Sequence, residues 1–156
     1  MRAATITLAA TLAADQGSKW LVVHWLDLKS RFFIDVWPPW LTFVMAWNTG
    51  VNFGLFADDG AITRWILIAV ALAISVWIWL WAWRERGNVA MQVSAGLIVG
   101  GALGNVIDRV VYGAVADFIN VTCCGIDNPY SFNIADASIF VGAAGLILFA
   151  GRQKTP

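Results

Sequence analysis

The sequence predicts an all-α membrane protein with four transmembrane helices, both termini cytoplasmic, and a small β-containing segment on the outer face. Three observations predict it. The 156 residues are 60% hydrophobic and 13% charged, whereas a soluble domain is about 45–50% apolar and about a quarter charged. Four long apolar stretches, at about 3–26, 62–83, 90–111 and 133–150, match the length of roughly 20 residues that a helix needs to cross a hydrocarbon core. Net charge is zero, yet the basic residues are sorted among the connections. The apolar runs do not alternate with polar residues, so helices rather than barrel strands satisfy the backbone in lipid. No linker, low-complexity run or repeat divides the chain, which reads as one domain over 1–156.

At the N-terminus, Arg2 and the Ala-rich run to Ala14 imitate a removable signal peptide. The apolar run resumes at Trp20 and continues to Leu26, so the segment reads as an uncleaved first span. Arg2, Arg84, Arg86, Arg152 and Lys154 lie at the chain ends or between spans two and three. The other connections hold Lys29 and Arg31 against Asp27, Asp35, Asp58, Asp59, Asp117 and Asp127. Basic residues stay on the cytoplasmic side, which turns segments 27–61 and 112–132 outward. Trp77, Trp79, Trp81 and Trp83 then mark the inner interface, and Trp20, Trp25, Trp37, Trp40 and Trp65 the outer one.

In the first outer segment, "RFFIDVW" and "LTFVMAWN" are strand-like, with Pro38-Pro39 between them arguing against one continuous strand. A small sheet at the membrane surface is expected. "NTGVNFGLFADDG" follows, with turns at Gly50, Gly54 and Gly60 and apolar Phe53, Leu55 and Phe56 to dip into the interface. In the third span, Gly96, Gly100 and Gly104 recur at four-residue spacing, which lets another helix backbone come close. Ala135, Ser138, Gly142 and Gly145 of span four offer a facing surface.

Ionisable groups inside such segments are costly, by about 2.5–3.5 kcal/mol each on insertion scales, so they are the first candidates for function. Three clusters qualify. In "DQGSK", Asp15 and Lys19 are four apart on one helix face and can pair. In the run from Gly100 to Phe118, Asn105, Asp108 and Arg109 share a face, and Asp117 follows just past the expected helix end at Tyr112-Gly113. In "SFNIADASIF", Asn133 and Asp136 share a face at the start of span four. Each has a plain structural alternative: a self-compensating ion pair, a solvated loop aspartate, and a carboxylate favoured by the helix dipole behind an Asn cap. Spacing alone ranks Asp108 above Asp117. Most of these groups, with Asn48, lie towards the outer face, where two aspartates sharing a partly dry site would hold one proton between them.

Other chemistries are poorly supplied. His24 lies far from any Ser or Cys motif, and the only Glu is Glu85 on the cytoplasmic side. Cys123 and Cys124 are adjacent and form no C-x-x-C, and their pairing stays open. No cofactor, metal or nucleic-acid partner is expected.

In chain order, "DQGSK", "NTGVNFGLF", "GGALGNVIDR", "VADF" and "FNIADASI" resemble the five motifs of the lipoprotein signal peptidases, the bacterial type II signal peptidases. The resemblance covers nearly the whole chain. It implies an intramembrane aspartyl endopeptidase of the bacterial cytoplasmic (inner) membrane, with its site facing the periplasmic side. The implied substrate is a prolipoprotein already carrying a diacylglyceryl group, cut just before the lipidated cysteine. The resemblance also implies contact with membrane lipid and inhibition by globomycin in the substrate groove. It carries the catalytic pair onto Asp117 and Asp136 and supporting roles onto Asp15, Lys19, Asn48, Asn105, Asp108, Arg109 and Asn133, with Asp108 shaping the site beside Arg109 and Asn105. The "NVTCCGIDNPYS" loop departs from the family pattern. Segment 27–61, with Asn48 against the substrate backbone, is expected to act as a movable clamp. The competing reading is a small four-helix proton-coupled transporter relaying protons through Asp15 and Asp108.

Overall fold

The computed structural model describes residues 1–50, 60–123 and 128–149. Helix α1 (Arg2–Lys19) runs into a π-helical turn (Trp20–Trp25) and a short α2 (Leu28–Arg31). Strands β1 (Phe33–Trp37) and β2 (Leu41–Asn48) follow, then α3 (Gly60–Arg84), α4 (Val89–Tyr112), β3 (Val115–Val121) and α5 (Ile134–Phe149).

Helix α4 is the hub, with α1, α3 and α5 all packed on it. Its small residues are the reason. A Cβ at Gly100 would sit 2.8 Å from the Leu8 carbonyl of α1, and one at Gly101 would sit 2.5 Å from the Ala135 carbonyl of α5. The expected glycine contact therefore forms on two faces at once. Gly142 of α5 answers it against Ser94 and Ile98. Towards the other end, Ile78 and Ala82 of α3 close a core with Met91, Ala95, Ile98, Val99 and Leu146.

Helix α3 turns Ile66, Val70, Ile74, Trp77 and Trp83 outwards, each about half exposed or more. In water this stripe would be an interaction patch; lipid accommodates it without cost. Among the described residues, α3 and α4 are the two helices long and apolar enough to cross a membrane, with mean hydropathies of 2.3 and 1.5. Helix α5 is apolar and shorter, and α1 carries Arg2, Asp15 and Lys19.

The first apolar stretch departs from one uninterrupted α-helix. After Lys19 the backbone widens, and the Leu26 N–H bonds the Leu21 carbonyl five residues back at 2.9 Å. Within this turn Val22 and Val23, adjacent in sequence, both bury in a cluster with Leu28, Ala116 and Phe118.

The sheet is antiparallel in the order β1-β2-β3. Pro38-Pro39 occupies the turn between β1 and β2, so the two strand-like pieces form a hairpin with Trp37 opposite Leu41. The third strand adds to the sequence reading, which put β structure in the first outer segment and Asp117 just past the end of span three. Val115 pairs with Asn48, Ala116 with Trp47 and Asp117 with Ala46. Phe43 meets Phe118 edge-on at 5.5 Å on the inner face, while Phe33, Val36, Trp37, Trp40 and Trp47 stay exposed. Cys123, whose pairing the sequence left open, is disulfide-bonded. The stretch 51–59, part of the segment 27–61 that the sequence offers as a movable clamp, lies outside the described residues, as does Cys124.

Candidate active site

The start of α5 supplies the first carboxylate. Asn133 caps the helix by accepting the Asp136 N–H on Oδ1 at 2.9 Å, and Asp136 Oδ2 accepts the Asn133 N–H at 3.3 Å. This reciprocal box satisfies two amide donors at the helix start and fixes the Asp136 rotamer. The other oxygen, Oδ1, accepts a hydrogen bond from Asn105 Nδ2 at 2.8 Å. The dipole-favoured carboxylate and the site residue are thus the same group in the same pose.

Strand β3 supplies the second. Asp117, 3% exposed, accepts from Asn133 Nδ2 on Oδ1 at 2.7 Å and from Asn48 Nδ2 on Oδ2 at 3.0 Å. Asn48, at the end of β2, is itself held by the Gly50 N–H donating to its Oδ1 at 2.8 Å. Asn133 is therefore the link between the aspartates: its side-chain amide binds one and its backbone N–H the other. Asn105 steadies Asn133 by accepting from Nδ2 at 3.2 Å.

Burial, followed by the facing charge of Asp136, pushes the Asp117 carboxyl up to about 6, against the opposing hydrogen bonds from Asn48 and Asn133 and the charge of Lys19. A carboxyl raised in the folded state contributes stability in full below its unfolded pKa, and loses it as pH rises through about 6. Asp117→Asn abolishes that loss. Above about pH 7 the variant should exceed the parent by about 1–2 kcal/mol, discounted for solvent screening and for the one amide it leaves mismatched. Below about pH 4 the difference should vanish. Thermal unfolding in detergent across this range checks it.

A buried polar layer lies behind the two aspartates. Asp15 and Asp108 are fully buried, Lys19 nearly so, and the Lys19 ammonium contacts one oxygen of each carboxylate. Asp108 bonds to Lys19, Gln16 Nε2 and the Ala116 N–H. Arg109, its neighbour on the helix, diverges from it, as two adjacent helical positions must, and stays within range of its charge. Arg109 Nη1 makes a long 3.5 Å contact to the Asn105 carbonyl, its Nε is buried without a hydrogen-bond partner among the described residues, and its charge lies within range of Asp117 and Asp136. His24 sits away from the site, bonded to Tyr112 Oη at 3.2 Å near the surface.

The structure thus brings Asp15, Lys19, Asn48, Asn105, Asp108, Arg109, Asn133, Asp117 and Asp136 into one connected region. Gln16 joins it without having been singled out from sequence. Its partners Gly104 and Asp108 lie 88 and 92 residues away, and no local spacing signals such a contact.

A family model described as signal peptidase (SPase) II matches residues 7–151. A lipoprotein signal peptidase of Methylorubrum extorquens (strain PA1) is 46% identical over 149 residues, covering 94% of this chain and 84% of that protein. One from Nitrobacter hamburgensis is 37% identical over 159 residues, covering 100% and 95%. A bacterial membrane enzyme solved by the in meso method at 1.9 Å shares the fold with a TM-score of 0.80 at 27% identity, covering 99% of this chain and 96% of that one.

Proposed function

The chain belongs to the signal peptidase II family, and from that premise we propose that it is an intramembrane aspartyl endopeptidase acting on diacylglyceryl-modified prolipoproteins. It removes the signal peptide by cutting just before the lipidated cysteine. One observation carries the site assignment: Asn133 holds Asp117 and Asp136 together, each by a separate hydrogen bond.

Two carboxylates in a water-poor site hold one proton between them. A water placed between them gives a proton to the ionised member as its oxygen attacks the scissile carbonyl carbon. The protonated member gives its proton to the carbonyl oxygen, forming a gem-diol. Collapse of the diol returns one hydroxyl proton to the now ionised member and expels the amine of the modified cysteine, which takes a proton from the carboxyl that received one from water. With its raised carboxyl, Asp117 is the better placed to hold the resting proton. Asn48, whose Nδ2 is on Asp117, aligns that carboxyl at the mouth where β2 ends. Asn105 and Asn133 hold Asp136, and Arg109 offers an N–H that has no partner among the described residues, with its charge in range of the pair.

Four spans with both termini cytoplasmic and one domain over 1–156 follow from this reading. The aspartates then sit at the periplasmic side of the bacterial cytoplasmic membrane, within reach of a substrate whose acyl chains stay in lipid. Globomycin-type inhibitors would occupy the same groove. The exposed aromatic residues of β1 and β2 suit the lipid interface. The transporter reading loses its relay: the Asp15 and Asp108 carboxylates are committed to Lys19, Gln16 and backbone amides.

The test is purified enzyme with a diacylglyceryl-modified prolipoprotein peptide and its unmodified twin. The modified peptide should be cut at the bond before the cysteine, and the twin should be cut at least about 100-fold more slowly, since binding energy from the acyl chains is used to position the bond. Equal rates on both peptides would defeat the assigned specificity.

A further inference from the structure

The buried layer behind the aspartates is a clamp with two arms. The Lys19 ammonium lies 2.8 Å from Asp15 Oδ2 and 2.8 Å from Asp108 Oδ2. Each carboxylate also grips one backbone amide. Asp15 accepts the Ala135 N–H on Oδ1 at 3.0 Å, and Asp108 accepts the Ala116 N–H on Oδ2 at 3.1 Å. Ala135 immediately precedes Asp136, and Ala116 immediately precedes Asp117. Gln16 Nε2 braces the arms, donating to Asp15 at 3.0 Å and Asp108 at 3.1 Å. The two aspartates stand on different elements, a helix start and a strand, which share no chain segment shorter than the loop between them. One ammonium therefore links the backbones that carry both.

A self-compensating ion pair would need only Asp15 and Lys19. Adding Asp108 puts a second carboxylate on one buried ammonium, a costly arrangement that well-packed apolar residues would commonly improve upon. What the second carboxylate contributes beyond the first is its hold on the amide next to Asp117.

We propose that Lys19 is a positioning residue: through Asp15 and Asp108 it fixes the separation and alignment of Asp136 and Asp117. The proposal rests on the reading of those two residues as the catalytic pair. Misplacing reacting groups by about 1 Å costs on the order of 100-fold in rate, so the clamp acts on turnover more than on substrate binding.

The experiment compares Lys19→Met and Lys19→Arg with the parent, using the modified peptide, steady-state kinetics, a pH profile of kcat and thermal unfolding in detergent. Lys19→Met should lower kcat about 10- to 100-fold with KM within about twofold. Its alkaline limb, set by the carboxyl that holds the resting proton, should move to higher pH. The charges facing Asp117 are Asp136 from α5, Lys19 from α1 and Arg109 from α4, with neutral Asn48 and Asn133 bonded to it, and Lys19→Met removes one that favours the ionised form. Lys19→Arg keeps the charge and alters the reach. It should leave that limb in place and lower kcat less than Lys19→Met, and it carries the test alone if Lys19→Met does not fold. Folded Lys19 variants with parental kcat, or with the whole loss in KM, overturn the clamp. Asp117→Asn and Asp136→Asn run alongside separate the two failures. If either still turns over, the catalytic pair itself is wrong. If both are dead while the Lys19 variants are normal, the clamp alone falls.

Discussion

Asp136→Asn is expected to abolish cleavage of the modified peptide, lowering kcat by about 10⁴-fold, while the protein still folds. Asparagine is nearly isosteric, and its remaining oxygen can accept from either the Asn133 N–H or Asn105 Nδ2, the two donors that hold the carboxylate. The α5 cap through Asn133 Oδ1 and the Asp136 backbone N–H does not depend on the substituted side chain. The local loss should be about one hydrogen bond, roughly 1 kcal/mol. What disappears is a group able to take or give a proton. Asp117→Asn should be equally inactive, yet more stable than the parent above about pH 7, because there burial penalises the ionised carboxyl. Two variants with the same activity defect and opposite stability shifts form a pattern that general misfolding does not produce. Retained turnover in folded Asp136→Asn would remove it from the chemistry.

What the sequence made legible followed from how local each signal was. The Asp15–Lys19 pair at i, i+4, the Asn133 cap with Asp136 three residues on, and the glycine ridge of α4 are short-range patterns on single helices. Each appears in the structure as read. Strand β3 was not legible. Its residues are buried almost continuously instead of alternating, and its partner β2 lies about seventy residues upstream, so no period-two signal set it apart from a loop. Asp117 therefore read as a solvated aspartate until the ordered motifs singled it out. The hydrogen-bond partners of Asp108 were hidden for a related reason: they come from α1 and β3, while Arg109, its neighbour in sequence, diverges from it and feels only its charge. The π-helical turn after Lys19 was equally hidden, because an apolar run looks the same to either helix.

Asp15→Ala is expected to be the most destabilising single change in this region, by about 3–5 kcal/mol, the range for breaking a buried pair from one side. The truncation leaves the Ala135 N–H buried without its acceptor and removes one of the two carboxylates on Lys19. It also opens a void beside Gly104, whose missing side chain is what lets the Asp15 carboxylate lie against α4. These losses fall at one junction of α1, α4 and α5, so they are not independent and should be measured together. Asp15→Asn keeps an oxygen for the Ala135 N–H and fills the same space, although its amide then faces the Lys19 and Gln16 donors, so it should lose less stability than Asp15→Ala. Yield and thermal midpoint in detergent, read for both variants, give the ordering. A normally folded Asp15→Ala enzyme slowed far beyond the roughly 100-fold that a displaced pair costs would move Asp15 from support into the chemistry. A normally folded and fully active one would overturn the clamp, because Asp15 is the carboxylate that joins Lys19 to the amide before Asp136.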